Sequence, residues 1–396
     1  MLRRKFILCL AFLGFVSASF AEIIDAGVVS QKTDVNVPIY RVAIKSSSPE
    51  VKKLAERAFS VHGSYKLSDT QSAQFSFAFE NTGTNAVEVN INDGNFKQVV
   101  SGENSFDALM RACDLAVSKT LGGSGFFAGK IAFVSDNTGA TEIYVGDLFF
   151  NSVRPITNDK ARSILPQWNH DGSKVFYTGY FRSGFMDLYE CDLVNKTRRS
   201  FASYKGTNTG GVTSPDGKKV AMLLTTTGNA EIWISDASGK NVRKVTNTSA
   251  VESSVSWAPD SSTIVFASDA KGNPQIYKMN INGGKPIRVP TNISGYCSEP
   301  QINPYNTNQI IFTAAVNRAF QIALYDAKKG SSEILTTSGR NSQPKWCSDG
   351  RHVIFTKENG SKKNLWILDT ATKKETLLHS PKIGNCSEAS FIYLKK

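Results

Sequence analysis

The feature that most constrains the fold is a segment that recurs from Ser163 to the C-terminus. Its first copy, SILPQWNHDGSKV, holds an apolar strand, a polar turn and the start of a second strand, and the tryptophan serves as the anchor position. The anchors are spaced by 45, 44, 45, 44 and 45 residues and are Trp168, Thr213, Trp257, Ile302, Trp346 and Phe391. A period of about 40–50 residues with several short strands predicts β-propeller blades rather than helical solenoid units.

A second recurring pattern keeps step with the anchors: a polar residue, then Ile or Leu, then an aromatic residue. Its copies begin at Glu142, Asp187, Glu231, Gln275, Gln321 and Asn364, and the copy at Gln321 lacks the aromatic residue. A D-G or D-S turn follows most anchors. Asp-Gly between apolar runs is a strong hairpin signal, because glycine adopts positive φ without steric cost. Each blade is therefore predicted to begin with a hairpin.

The two ends of the repeat predict how the propeller closes. The second pattern starts one unit early, at Glu142, with no anchor strand before it, and the last anchor at Phe391 has no further strands after it. Pairing the C-terminal strand into the first blade completes six blades and removes an open sheet edge. The expected fold is multidomain: a small N-terminal α/β domain followed by a six-bladed β-propeller closed by the C-terminal strand.

The region before the repeat alternates between strand and helix patterns. Strands are expected at Pro38–Ile44, Gln74–Phe79, Ala86–Asn92 and Phe96–Val100, and helices at Pro49–Phe59 and Ser105–Leu121. The second helix is amphipathic, so both helices are expected to pack on one small sheet. The predicted organisation is a signal peptide at 1–21, an α/β domain at 22–121 with a flexible segment at 22–35, a linker at 122–129 and the propeller at 130–396.

The first 21 residues combine basic residues, an apolar core and small residues before a cleavage point, which predicts export. No later apolar stretch is long enough to span a bilayer, so no direct membrane insertion is expected. The formal net charge of +12 falls to +9 without Arg3, Arg4 and Lys5. The basic residues are spread over the blades and the chain is exported, so solubility is favoured over nucleic-acid binding and a monomer is expected.

Candidate catalytic and metal-binding residues do not form a recognisable set. The sequence has no G-x-S-x-G and no H-E-x-x-H motif, and the Cys and His spacings do not suggest a metal. Each histidine is interpreted as a surface residue, and the five cysteines after the signal peptide are expected to form no disulfide. Glu299 and Glu388 occupy equivalent positions two blades apart, which favours a polar rim over an acid–base pair. No enzymatic activity, cofactor or metal is therefore predicted.

Polar residues at two positions before each anchor are expected to ring one mouth of the central channel. Four residues before the anchors lie Ile164, Thr209, Ser253, Ser298, Ser342 and Ser387, and three before lie Leu165, Gly210, Ser254, Glu299, Gln343 and Glu388. Each single residue is explained equally well by turn chemistry, since Ser and Thr bond local backbone. Together, six short polar loops around one opening predict a docking surface for a peptide or loop.

The repeat P-x-W-[SAN]-P-D-G with the polar-Ile-aromatic strand resembles the TolB-like propeller family of the Tol-Pal envelope system. The segment SDAKGNPQIYKMNINGGKPIRV, Ser268 to Val289, is especially similar to a blade of that family. The order of signal peptide, α/β domain, Gly-containing linker and six blades is also the same. The resemblance implies a periplasmic protein without enzymatic activity that supports outer-membrane invagination at division and envelope integrity, and whose complex toxins and phages exploit for import.

The resemblance also implies two partners. The lipoprotein Pal would bind at the channel mouth, through Thr207, Asn208, Thr209, Gly210, Ser253, Ser254, Ser298, Glu299, Ser342, Gln343, Ser387 and Glu388. The membrane-anchored protein TolA would bind the mature N-terminus, at Glu22, Ile23, Ile24 and Asp25. Family members can carry His where this chain has Thr207, so the contact there differs or is absent. The alternative hypothesis is an exported propeller that binds glycans or small molecules, with weak hydrolase activity as one variant of it.

Overall fold

The computed structural model describes residues 37–182 and 184–395. The predicted signal peptide, the segment 22–35 and the proposed TolA-binding residues Glu22 to Asp25 lie outside these residues. Within the described ranges, neither helix is both long and apolar enough to cross a membrane.

An α/β layer precedes the propeller and consists of one mixed sheet with two helices. Its strands are β1 (Tyr40–Lys45), β2 (Tyr65–Leu67), β3 (Phe75–Gly83), β4 (Ala86–Ile91) and β5 (Phe96–Ser101), and its helices are α1 (Pro49–Val61) and α2 (Ser105–Leu121). The sheet order is β2-β1-β3-β4-β5, with β1 parallel to β2 and β3 and the other pairs antiparallel. The sequence prediction missed β2, because three residues are too few to show a strand pattern.

Local chemistry sets both helix starts. Pro49 occupies the first helical turn of α1, and the Val51 N–H donates to the Ser48 hydroxyl. The Asp107 N–H donates to the Asn104 side chain at the start of α2. Alternate residues of β3 and β4, such as Phe77 and Val89, are fully buried and pack in one core with the helices.

Six four-stranded sheets form the propeller. Blade 1 contains β6 (Lys130–Ser135), β7 (Glu142–Asp147) and β8 (Val153–Pro155). Blade 2 contains β9 (Ser163–Trp168), β10 (Lys174–Gly179), β11 (Asp187–Asp192) and β12 (Thr197–Ala202), and blade 3 contains β13 (Asn208–Thr213), β14 (Lys219–Leu224), β15 (Glu231–Asp236) and β16 (Arg243–Lys244). Blade 4 contains β17 (Glu252–Trp257), β18 (Thr263–Ser268), β19 (Gln275–Asn280) and β20 (Ile287–Arg288). Blade 5 contains β21 (Cys297–Ile302), β22 (Gln309–Val316), β23 (Ala319–Asp326) and β24 (Ser331–Ile334), and blade 6 contains β25 (Arg340–Trp346), β26 (His352–Asn359), β27 (Lys362–Asp369) and β28 (Lys374–Leu377).

The C-terminal strand β29 (Cys386–Ile392) completes blade 1 by pairing antiparallel with β6, so that Phe391 lies opposite Ile131. This confirms the six-bladed fold and its closure. The predicted hairpins follow the anchors, where Gly172, Gly217 and Gly350 have positive φ. The aspartate of each such turn accepts backbone N–H groups, as Asp349 does from Arg351 and His352.

The two recurring sequence patterns mark contacts that hold the blades. The indole N–H of Trp257 donates to the Val212 carbonyl at 2.8 Å, and that of Trp346 donates to the Gln301 carbonyl at 3.1 Å, so each ties its blade to the preceding one. The polar residue of the second pattern binds the connection to the next blade. Glu142, for example, accepts the Lys160 N–H and the Thr157 hydroxyl.

Candidate channel mouth and domain interface

Each inner strand contains an irregularity at the same position, three residues before its anchor. The backbone there has φ between +54° and +95° at Leu165, Gly210, Ser254, Glu299, Gln343 and Glu388. The strand register shifts at this point in every blade. Such a bulge turns a side chain out of the regular alternation. All six residues line one cavity on the propeller axis, which is the central channel.

The sequence predicted that the polar positions lie in loops before the inner strands. In the structure they lie within the strands. Asn208 is the first residue of β13, and the serines four residues before the anchors are also strand residues. Backbone pairing between the first and second strands resumes on the N-terminal side of the bulge, where Ser298 pairs with Thr313. Each inner strand is therefore longer than predicted. Sequence spacing did not reveal the bulge that allows the strand to continue.

The mouth lies at the end of the propeller opposite the α/β layer. Each inner strand runs from the mouth to its anchor and continues into a hairpin. In blade 6 this hairpin contacts the α/β layer and its connection: the Arg351 guanidinium donates to the Ser64 hydroxyl, and the Ser348 hydroxyl donates to the Gly125 carbonyl. The starts of the inner strands therefore face away from the α/β layer.

The channel is narrow, with a cavity of about 120 Å³. This volume accommodates a few water molecules or one side chain rather than a sugar chain. A second layer of side chains, one residue before the anchors, also lines it and includes Gln167, Gln301 and Lys345. This layer was not predicted from the sequence. The two-residue alternation of a strand was the signal that could have found it.

Three half-buried charged residues meet in the channel. Burial raises the pKa of Glu299, which accepts the Thr313 hydroxyl and the Gln343 N–H, both at 2.7 Å. Burial likewise raises the pKa of Glu388, which accepts the Leu165 N–H at 2.6 Å. Burial lowers the pKa of Lys345 to about 8, and the charge of Glu299 acts in the opposite direction. The two acids thus link neighbouring inner strands, Glu299 between blades 5 and 6 and Glu388 between blades 1 and 2.

The remaining predicted mouth residues have different surroundings. Ser298 and Ser342 line a small groove between blades 5 and 6 together with Arg340. Thr209, Ser253 and Ser387 are half-buried. Asn208 is fully buried, and its amide donates to the carbonyls of Tyr204 and Gly206, so it shapes the preceding loop instead of facing a partner. The Thr207 N–H donates to the Thr225 hydroxyl.

The prediction that every histidine lies on the surface was wrong for three of the four. His62, His352 and His379 are buried, with exposed fractions of 3%, 0% and 3%. The Leu365 N–H donates to Nε2 of His379. In other blades the equivalent N–H, of Ile143 or Ile232, donates to a threonine hydroxyl instead. Turn and strand patterns in a single sequence do not show that a histidine takes over the hydrogen bond of a threonine.

His62 and His352 meet at the interface between the α/β layer and blade 6, with ring centroids 4.8 Å apart. His352 also stacks on Phe126 at 4.1 Å, and its Nδ1 lies 2.5 Å from Asp349 Oδ2. Asp369 lies 3.4 Å from His352 Nε2 and accepts the Gly63 N–H across the interface. Asp349 and Asp369 raise the pKa of His352 to about 9 against the opposing effect of burial, whereas burial and the neighbouring His352 lower that of His62.

His62, His352 and Asp369 form one group whose potential ligand atoms lie within 4.8 Å of one another. Arg351 already donates to both oxygens of Asp369. His62 Nδ1 accepts the Ser64 N–H, which leaves the proton of the neutral ring on Nε2. The guanidinium of Arg351 would repel a metal cation, and the protonated Nε2 of His62 has no free electron pair to bind one. The arrangement is a hydrogen-bonded contact between the two layers.

The five cysteines of the described residues are buried and free: Cys113, Cys191, Cys297, Cys347 and Cys386. Burial raises the pKa of each thiol, most strongly for Cys113 and Cys347. Thiols of this kind are poor nucleophiles, because the thiolate is the reactive form.

Comparison with known proteins gives a consistent assignment. The family model described as the TolB β-propeller domain matches residues 117–392. The Tol-Pal system protein TolB of Francisella tularensis subsp. mediasiatica is 28% identical over 294 residues, covering 69% of this chain and 67% of that protein. The protein of the same name in Bordetella pertussis is 30% identical over 172 residues, covering 43% and 39%. The crystal structure of TolB from Acinetobacter baumannii superimposes with a TM-score of 0.80 at 20% identity, covering 92% of this chain and 99% of that one.

Proposed function

Since this chain belongs to the TolB β-propeller family, we propose that it is a non-catalytic periplasmic adaptor of the Tol-Pal system. In this role it binds the Pal lipoprotein at the channel mouth and TolA through its mature N-terminus. It thereby supports outer-membrane invagination at division and the integrity of the envelope. The family match over residues 117–392 is the observation that carries the proposal.

The form of the mouth is consistent with docking of another protein. Half-buried polar residues of five blades lie there, blade 2 contributes Ile164 and Leu165, and the channel behind them is too narrow for a large ligand. A partner would therefore contact the rim and insert at most a side chain. A stable interface would bury about 1,000 Å² or more in total, which requires several mouth loops at once.

In the proposed mechanism, occupancy of the mouth is coupled to the accessibility of the N-terminal segment 22–35. Coupling between two binding sites is typically about 1–3 kcal/mol, which changes an affinity several-fold. Deleting Glu22 to Val35 is expected to abolish TolA binding and to change Pal affinity. Unchanged affinity for both proteins in titration calorimetry would contradict the coupling.

Affinity capture from an envelope extract tests the adaptor role against the alternative. The tagged mature chain is expected to retain a Pal-type lipoprotein, identified by mass spectrometry. A matched variant with Thr209→Arg and Ser253→Arg, which fills the mouth at blades 3 and 4, is expected to lose it. The control Asn282→Arg changes an exposed turn of blade 4 at the other end of the propeller. Failure to retain any lipoprotein, together with binding on a glycan array, would support the glycan-binding alternative.

A further inference from the structure

The mouth carries an excess of positive charge. Twelve loops face it: the six turns between the second and third strands of the blades and the six connections that lead into the inner strands. Their described residues include seven basic side chains, Lys160, Arg162, Arg182, Lys205, Lys271, Arg318 and Lys382. They include only three acidic ones, Asp136, Asp159 and Asp269. The turns at the opposite end of the blades hold eight basic and four acidic residues, so the excess at the mouth differs in its clustering around one blade and not in its size.

The three acids are already engaged within the protein. Asp136 accepts the backbone and side-chain amides of Asn385, at 2.7 and 2.8 Å. Asp159 forms an ion pair with Arg198 at 2.7 Å. Asp269 accepts the Val251 N–H at 2.8 Å. Asp159 is thus already paired with a cation, while Asp136 and Asp269 keep their charge in turns of blades 1 and 4.

Four of the seven basic residues lie around blade 2, and we call Lys160, Arg162, Arg182 and Lys205 the basic sector. All four are exposed. They lie in the connection into blade 2, in the turn between β10 and β11, and in the connection from blade 2 to blade 3. Because like charges on adjacent loops repel one another, an anionic partner would relieve the repulsion as well as form new ion pairs.

Aromatic residues accompany the basic sector. Arg162 lies over the ring of Tyr180 at 5.8 Å, and the Tyr180 N–H donates to the Arg162 carbonyl. Tyr204 precedes Lys205 and is 44% exposed. Asn208 fixes this loop, because its side chain accepts the Tyr204 N–H and donates to the Tyr204 carbonyl. These bonds fix the backbone of the loop at Tyr204, and tyrosine side chains offer a large contact area at a low cost in conformational entropy.

The basic sector also acts on the channel. The charge of Arg162 opposes the rise in pKa that burial imposes on Glu388. The Leu165 N–H, three residues after Arg162 in the chain, donates to the same carboxylate. A ligand that engages Arg162 would therefore lie at the edge of the channel, next to the ring of polar residues.

We propose that the basic sector binds an acidic, extended segment of a protein partner and guides it onto the mouth. The proposal rests on the proposed function, because it specifies the chemistry of the partner surface at the same mouth. A polypeptide fits better than a lipid surface, since the charges flank a polar channel, and the exposed Tyr204 and Phe185 beside them are isolated aromatic contacts rather than a continuous apolar face. Charge complementarity of this kind mainly raises the association rate and makes it sensitive to salt.

Two probes test the proposal with the mature chain: a fluorescein-labelled oligoglutamate peptide and the soluble domain of Pal. The variant Lys160→Glu/Arg182→Glu/Lys205→Glu reverses three of the four charges of the basic sector and keeps Arg162, which lies next to the channel. The matched control Lys218→Glu/Lys240→Glu/Lys285→Glu reverses three exposed lysines in turns at the opposite end of blades 3 and 4. We expect the sector variant to weaken oligoglutamate binding by about 10-fold or more and to slow Pal association similarly, with a smaller salt dependence. The control should stay within about 3-fold of the wild type, since distant exposed charges are screened.

The outcomes separate this inference from the proposed function. Equal loss in both variants, or no oligoglutamate binding by the wild type, overturns the inference. Pal association that is identical in the wild type and the sector variant overturns it as well, while the adaptor role stands. Oligoglutamate binding that depends on the sector without any Pal binding supports the inference and contradicts the adaptor role. Sector-dependent binding to phosphatidylglycerol vesicles without oligoglutamate binding overturns it in favour of a lipid surface.

Discussion

At the scale of single residues, Glu299 and Lys345 control the charge inside the channel. The negative charge of Glu299 raises the pKa of Lys345, while burial lowers it to about 8. Replacing Glu299 by Gln removes the opposing charge and keeps a similar shape. We expect the pKa of Lys345 to fall further, measured by NMR titration of ¹³C-labelled lysine side chains.

Glu358→Gln is the matched control for this titration, because Glu358 pairs with Lys363 at 2.8 Å outside the channel. It should leave the Lys345 titration unchanged. A Lys345 pKa that is unaffected by Glu299→Gln, or that shifts equally in the control, would contradict the electrostatic account of the channel.

At the scale of elements, the hairpin of blade 6 holds the α/β layer through His352. The pKa of this side chain is raised from 6.5 to about 9, so its contribution to stability is complete below pH 6.5 and is lost as pH rises through about 9. His62 acts in the other direction, because its lowered pKa removes stability as pH falls below 6.5. The free energy of unfolding should therefore be greatest near pH 6.5 and fall by about 1–3 kcal/mol towards pH 9.

Urea unfolding of His352→Gln at several pH values measures this contribution. The variant should be less stable than the wild type at pH 6.5, and the difference should shrink as pH approaches 9. His170→Gln, at an exposed position in the hairpin of blade 2, should follow the wild-type curve. A constant difference between His352→Gln and the wild type across this range would show that His352 acts by packing alone.

At the scale of the whole molecule, the ring depends on β29. This strand supplies the inner edge of blade 1 and pairs with β6 over five residue pairs. A chain that ends at Asn385 would expose the edge of β6 and lose the contacts of Phe391 and Tyr393 with the core. We expect it to aggregate or to unfold at a clearly lower temperature, measured by size-exclusion chromatography and circular dichroism.

Truncation after Leu394 is the control, because it keeps β29 and the carbonyl that accepts the Arg111 side chain. Its melting temperature should be close to that of the full chain. A monomeric, cooperatively folded chain ending at Asn385 would contradict the role of β29 in closing the ring.

Features that repeat along the chain could be predicted from the sequence, whereas features that occur once could not. The period of the anchors indicated six blades, and the unmatched ends indicated closure at Phe391. Counting back from the anchors led to the expected ring of residues around one mouth, which stays a prediction as a binding site. The pairing of His62 with His352 joins positions almost 300 residues apart, and no local pattern marks it. The bulge was hidden because Leu165, Gln343 and Glu388 adopt a positive φ that their residue types rarely favour.

The central claim is that a protein partner docks on the mouth at the start of the inner strands. Titration calorimetry of the soluble Pal domain into the mature chain tests it most directly, with Thr209→Arg/Ser253→Arg and the control Asn282→Arg measured alongside. We expect one-to-one binding to the wild type and the control, and affinity lower by about 10-fold or more for the mouth variant, because two long side chains then fill the rim. Absence of binding to the wild type, or equal affinity of all three chains, would contradict it.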